Sequence, residues 1–164
     1  MKPKVLPQYH NVSRKAWTTI LLTTLLVGTL DALAAIVVYQ VDPTRLFKFI
    51  ASGAFGAGKA FSEGSLMVFF GILFHYLIAF SWVGIFFLLY PISSLVKKNR
   101  YVTGVCYGVF IWIIMNQVII PLSEIPKGDF DSKAALMGTL ILIFAVGLPT
   151  SLIIHRYYSR KDMM

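Results

Sequence analysis

The sequence predicts an all-α membrane protein: a four-transmembrane-helix bundle with a short outer interfacial helix between the first two spans. Hydrophobic residues make up 57% of the 164 residues, charged residues make up only 13%, and the mean hydropathy is +0.75. A soluble domain of this size cannot hide so much apolar surface, because small folded proteins keep a large exposed area. Four apolar stretches also reach the length of about 20 residues that a helix needs to cross the hydrocarbon core.

These stretches are predicted to be helical because backbone groups in lipid must find hydrogen bonds within their own segment. The predicted spans are residues 16–39, 66–90, 101–120 and 134–154. They form one transmembrane domain, residues 16–157, between cytoplasmic tails at 1–15 and 158–164. A cleaved signal peptide ending at Ala32-Leu33-Ala34 is the alternative for the first span. The apolar run continues past that site, which favours an uncleaved span.

The segment that follows the first span predicts a short helix at the outer interface. Asp42 can cap a helix and Pro43 suits a first helical turn. Apolar residues then alternate with two basic ones, as in a helix that lies in the membrane surface. The stretch Gly53-Ala54-Phe55-Gly56-Ala57-Gly58-Lys59 fits the phosphate-binding loop pattern. Ala60 stands where that motif needs Ser or Thr, and no strand precedes it, so we interpret the stretch as a closely packed loop.

Basic residues predict that both termini are cytoplasmic. Ten of the 15 Lys and Arg residues fall in the two tails and in the connection between the second and third spans. Such residues accumulate on the cytoplasmic side of membrane proteins. The net charge of +8 therefore reflects orientation and contact with anionic lipid headgroups. The pattern does not indicate nucleic-acid binding, because no basic stretch alternates with aromatic residues in a solvated domain.

Small residues on the spans predict where helices pack, because lipid gives helices no hydrophobic reason to associate. The predicted packing residues are Gly28, Gly71, Gly104 and Gly108. Pro149 lies within the fourth span and predicts a kink, because proline removes a backbone hydrogen bond and clashes with the preceding turn.

Three polar residues stand out at depth, namely Asp31, His75 and Asn116. At about 1.5 Å per residue, Asp31 and His75 lie roughly 12 and 14 Å from the outer ends of their spans. We therefore predict a buried Asp-His pair, which Asn116 could join. Such a pair either fixes the register of the helices or moves protons or gates a solute path. One histidine and one carboxylate are too few ligands for a metal site, and no cofactor is expected.

The sequence predicts an integral inner-membrane protein of unassigned function, for which the leading hypothesis is a small transporter or channel built around Asp31 and His75. The chain contains neither H-E-x-x-H nor G-x-S-x-G, so we do not expect an enzyme. The alternative is a structural or accessory subunit of a membrane protein complex, whose packing stripes bind another membrane protein. The expected partners are thus the lipid bilayer and either a second copy of the chain or another membrane protein.

A set of motifs extends from the first span towards the fourth. They are Gly28-Thr29-Leu30-Asp31, Ser52-Gly53, Gly58-Lys59-Ala60, Leu73-x-His75, Ala79-Phe80, Met115-Asn116 and Pro121-Leu122-Ser123. Together these motifs resemble a set of small uncharacterised bacterial four-span membrane proteins and, more distantly, the YagU-like inner-membrane proteins. The resemblance implies a bacterial inner membrane and no particular activity.

Reporter fusions test the predicted topology. Green fluorescent protein fused to the C-terminus should fluoresce, because it folds in the cytoplasm, where the basic residues place that end. Alkaline phosphatase inserted between residues 41 and 65 should be active, because that connection should face the periplasm. Active phosphatase at the C-terminus would contradict the orientation.

Overall fold

The computed structural model describes residues 14–126, 128 and 131–161, and all regular structure in them is helical. Four helices are long and apolar enough to cross a membrane, which confirms the four-span helical architecture. We call them spans 1 to 4: Arg14–Tyr39, Ser65–Ile92, Arg100–Leu122 and Ser132–Arg160. Most of the predicted N-terminal tail and the last three residues of the C-terminal tail lie outside the described residues.

The helices extend beyond the apolar stretches that predicted them. Span 2 continues through Pro91 to Ile92, and the helix of span 4 continues to Lys161. The predicted cytoplasmic tail from residue 158 therefore begins as helix. Loss of hydropathy marks where apolar residues stop, whereas the backbone hydrogen bonds of a helix continue into a polar environment.

Span 1 and span 2 are each one continuous helix, and two short helices connect them. In chain order these are α1 (Arg14–Tyr39), α2 (Pro43–Phe55), α3 (Ala57–Ser62) and α4 (Ser65–Ile92). Gly56 separates α2 from α3 and has a φ of +75°, a conformation that glycine adopts without the steric cost of a side chain.

Span 3 and span 4 are each interrupted by a π-helical segment. After the short α5 (Ser94–Lys98), span 3 consists of α6 (Arg100–Ile114), a first π segment (Met115–Ile119) and α7 (Ile120–Leu122). Span 4 consists of α8 (Ser132–Ile141), a second π segment (Leu142–Gly147) and α9 (Leu148–Lys161).

Each π segment ends two residues before a proline. The amide of Ile120 donates to the carbonyl of Met115, and the amide of Leu148 donates to that of Ile143. Pro121 and Pro149 follow these two residues. A proline ring collides with the carbonyl four residues earlier, and the wider π turn gives that carbonyl room. Pro149 was expected to produce a kink, and the structure accommodates it with this wide turn.

The helix α2 begins as the sequence predicts and packs across span 2. The amide of Arg45 donates to the Asp42 carboxylate at 3.1 Å, and Pro43 occupies the first turn. Gly71 on span 2 has no room for a Cβ atom, because the carbonyl oxygen of Phe47 on α2 occupies that place. Glycine at this position therefore allows α2 to lie against span 2.

Spans 3 and 4 meet backbone to backbone at three glycines. A Cβ atom on Gly108 would lie 2.5 Å from the Cα of Ile143, and one on Gly104 would lie 2.9 Å from the Cα of Leu148. A Cβ atom on Gly147 would run into the carbonyl oxygen of Gly104. Because lipid does not drive helices together by the hydrophobic effect, such close contact is a main source of their attraction.

This contact predicts a stability difference between two otherwise similar substitutions. Gly108→Ala should lower the free energy of unfolding by about 1–3 kcal/mol, because the added methyl group forces the two backbones apart. Gly84→Ala in span 2 should not destabilise the protein, since nothing lies within 4 Å of its Cβ position. Thermal unfolding in detergent measures both, and equal midpoints for the two variants would contradict the contact.

Candidate functional site

Asp31 lies on the wall of two neighbouring cavities within the bundle. The first, which we call the central cavity, has a volume of about 430 Å³ and is lined almost entirely by apolar side chains. The second, which we call the polar vestibule, has a volume of about 710 Å³. Met115, Ile120 and Leu142 also line both, so the two spaces adjoin at the level of Asp31.

The central cavity is covered by α2 and the segment that follows span 3. Phe49 and Ile50 of α2 line it, together with Ile125. The amide of Glu124 donates to the carbonyl of Gly53 at 3.1 Å, which joins this segment to α2. The cover is thus made from two connections that are distant in the sequence.

The central cavity has an open edge between spans 2 and 3. Leu77 and Ile119 line the cavity and are 57% and 42% exposed. Below this edge the two spans meet through aromatic side chains, and the hydroxyl of Tyr107 donates to the carbonyl of Trp82 at 2.6 Å. Both residues are apolar and exposed on helices long enough to span a membrane, so this edge of the cavity has an apolar outer surface.

The polar vestibule lies among spans 1, 3 and 4. Asn116 and Gln117 line it on span 3, Tyr39 lines it on span 1, and Asp131 lies at its rim. Asp131 is exposed, as are Pro126 and Gly128 beside it. The vestibule therefore leads from exposed residues towards Asp31.

His75 donates its hydrogen bond to span 1, but not to Asp31. Its Nε2 atom lies 2.8 Å from the carbonyl oxygen of Gly28. A carbonyl oxygen only accepts, so Nε2 carries the proton. One residue further along both helices, the hydroxyls of Thr29 and Tyr76 lie 2.8 Å apart. These two contacts join spans 1 and 2.

Gly28 makes this contact possible. A Cβ atom there would lie 2.9 Å from the ring of Tyr76. The ring of Phe47 covers the other side of His75 at a centroid distance of 6.0 Å. The histidine is thus held between span 1 and α2.

Asp31 has no hydrogen-bonding partner within the described ranges of the chain. Among the described residues, none forms a hydrogen bond or ion pair with its carboxylate. Asp31 and His75 line the same cavity and interact electrostatically. Asp31 and His75 therefore line one cavity but do not form a hydrogen bond with each other. The hydrogen bond of His75 instead joins spans 1 and 2.

Asn116 lines the vestibule and does not lie in the central cavity. Its amide nitrogen donates to the carbonyl of Trp112, one turn earlier in span 3, at 3.0 Å. It therefore shares one space with Asp31 and none with His75.

Sequence reasoning did not find the two π segments that form part of the cavity walls. Met115, Leu142 and Val146 belong to them and line the central cavity. The sequence signal that could have found them is a proline late in an otherwise unbroken apolar span. π-helical turns occur frequently at functional sites.

The described residues contain no group of three or more His, Cys, Asp or Glu side chains that could hold a metal ion. Comparison of the chain with protein families, curated proteins and solved structures finds no match. The resemblance to small bacterial four-span proteins therefore stays a prediction.

Cysteine labelling tests whether the vestibule carries water to Asp31. In a Cys106→Ser background, which removes the exposed native thiol, Asn116→Cys and Asp31→Cys should react with a small water-soluble thiosulfonate. Val27→Cys should react at least about tenfold more slowly, because Val27 is fully buried and a thiol in apolar surroundings forms little thiolate. If Asn116→Cys and Asp31→Cys reacted as slowly as Val27→Cys, the vestibule would be dry.

Proposed function

We propose that the protein is a small membrane transporter that binds an apolar solute with a cationic group in the central cavity. Asp31 is the counter-ion for that group. The observation that carries the proposal is a carboxylate that forms no hydrogen bond or ion pair with any described residue and lies on the wall of an almost wholly apolar cavity. Ionisable residues inside spans are costly and mark substrate or ion pathways.

The cost of the unpaired carboxylate explains how binding and proton movement could be linked. A carboxylate in a span costs several kcal/mol unless it is protonated, wetted or paired with a cation. A proton and a cationic solute both relieve this cost, and both need the same oxygen atoms of Asp31. They therefore compete, so that each favours release of the other. This competition supports an exchange of protons for solute.

The dimensions and the open edge of the cavity favour a small apolar ligand. A volume of about 430 Å³ lies within the range of small-molecule pockets. The edge at Leu77 and Ile119 gives a ligand dissolved in lipid a route to the cavity. The vestibule gives protons a route to the other side of Asp31.

The finer placement in the cell belongs to the same proposal. The distribution of Lys and Arg supports a plasma membrane location with both termini in the cytoplasm. In that orientation α2 lies at the outer interface, and the vestibule opens to the outside. The resemblance to bacterial four-span proteins supports the inner membrane.

The contacts of the glycines weaken the alternative of an accessory subunit. That alternative relies on packing stripes that are free to bind another membrane protein. Gly28, Gly71, Gly104 and Gly108 are instead in contact with Tyr76, Phe47 and span 4 of the same chain. The glycines thus serve the fold of this chain.

Binding of a hydrophobic cation tests the proposal. The purified protein should bind tetraphenylphosphonium, and Asp31→Asn should weaken binding at least about tenfold, because it removes the only charge opposite the ligand. Tetraphenylborate has the same shape and the opposite charge, so it should not bind. Glu63→Gln removes a carboxylate that lines neither cavity and should bind like the wild type.

Equal binding by wild type and Asp31→Asn, or equal binding of cation and anion, would overturn the role of Asp31. In proteoliposomes, an acidic lumen should drive accumulation of the cation by the wild type. Flux no greater than that of empty vesicles would overturn transport while leaving binding intact.

A further inference from the structure

A basic groove lies at the opposite end of the bundle from the vestibule. It has a volume of about 690 Å³ and lies between the start of span 3 and the end of span 4. Arg100 lines one wall, and Arg156 and Arg160 line the other, with His155 and Ser159 between them. The groove thus collects three permanently charged guanidinium groups.

No described residue neutralises these three arginines. The guanidinium of Arg100 contacts Tyr101, with Nη2 3.3 Å from the phenol oxygen, and no ion pair to any of the three is formed in the described part of the chain. The described carboxylates lie in the cavities or the connections of the other end: Asp31, Asp42, Glu63, Glu124 and Asp131. Arg156 and Arg160 are four residues apart on one helix, where like charges repel. In the part of the chain that the structure describes, no carboxylate faces the groove.

The walls of the groove are held in place independently of any ligand. The hydroxyl of Ser151 on span 4 donates to the carbonyl of Arg100 at 2.8 Å. The hydroxyl oxygen of Tyr90 lies 2.7 Å from Nδ1 of His155, and this hydrogen bond fixes the imidazole. The three arginines thus lie on spans 3 and 4, which are joined by a hydrogen bond.

The groove is amphipathic along the bundle axis. Leu152 and Ile153 line it about one turn nearer the middle of span 4 than Arg156. A ligand that fits both parts has an anionic group at the end of the bundle and hydrocarbon towards its middle. A free phosphate matches the arginines but leaves the apolar part unfilled.

We propose that this groove binds the phosphate headgroup of an anionic membrane phospholipid. Guanidinium groups form paired hydrogen bonds with phosphate oxygens, which favours arginine over lysine at such sites. The acyl chains then lie along Leu152 and Ile153. Basic pockets between spans on the cytoplasmic side are known to hold anionic headgroups. The groove shares no residue with the central cavity or the vestibule, so the proposal stands apart from transport.

Native mass spectrometry of the purified full-length protein with phosphatidylglycerol or phosphatidylcholine tests the proposal. The wild type should retain phosphatidylglycerol in preference to phosphatidylcholine. The double variant Arg156→Gln/Arg160→Gln should bind phosphatidylglycerol about 10- to 30-fold more weakly, because it removes two cations that face the headgroup. The matched control Lys97→Gln/Lys98→Gln removes the same charge at the same end and lines no part of the groove. It should bind like the wild type.

Three outcomes would overturn the proposal. Equal weakening by the two double variants would mean a general surface attraction. Equal retention of the two lipids by the wild type would mean that the headgroup charge is not recognised. Displacement of the lipid by millimolar inorganic phosphate would assign the groove to a soluble phosphate. Thermal unfolding of each variant shows that it is folded, and Arg156→Lys/Arg160→Lys, which keeps the charge, should restore part of the lost binding.

Discussion

The close contact between spans 3 and 4 at Gly104, Gly108 and Gly147 is the constraint on which the rest of the structure depends. It brings the two backbones together in the half of the bundle that carries the basic groove. The central cavity adjoins this contact, since Ile111 on span 3 and Val146 on span 4 line it. Tight packing in one half thus leaves space in the other half. The π turns before Pro121 and Pro149 form part of the walls of that space.

Asp31 and His75 differ in their hydrogen bonding in this arrangement. The Nε2–H group of His75 donates a hydrogen bond to the carbonyl of Gly28 and so joins span 1 to span 2. Asp31, three residues further along the same face of span 1, has no such partner and faces two cavities. The structural interpretation of the buried polar pair therefore applies to His75, and the functional interpretation applies to Asp31. The histidine fixes the helices, and the carboxylate stays available to a proton or a cation.

The charges of the chain divide between the two ends of the bundle. The described carboxylates lie in the cavities and in the connections next to them, whereas Arg100, Arg156 and Arg160 lie at the other end and form no ion pair with any described residue. At a membrane surface, anionic lipid headgroups are available to neutralise the arginines of such a groove.

The sequence by itself determined the number and position of the spans, the start of α2 at Asp42, and the residues worth examining inside the bundle. Hydropathy, caps and rare polar residues are local properties, so they can be recognised without neighbours. Depth along the helices predicted that Asp31 and His75 lie at a similar level, and in the structure both line the central cavity. It did not reveal that the carbonyl of Gly28 takes the hydrogen bond of the histidine, because depth does not specify the rotation of a helix about its axis.

Only the tertiary structure decided which glycines touch which helix, where the cavities lie, and that three arginines far apart in sequence line one groove. Each of these features depends on the rotation of two helices about their axes and on the distance between them. In lipid, small differences in packing energy decide both. Hydrophobicity places a helix in the membrane, but it contributes little to the choice of its neighbour, because acyl chains are as apolar as the side chains they replace.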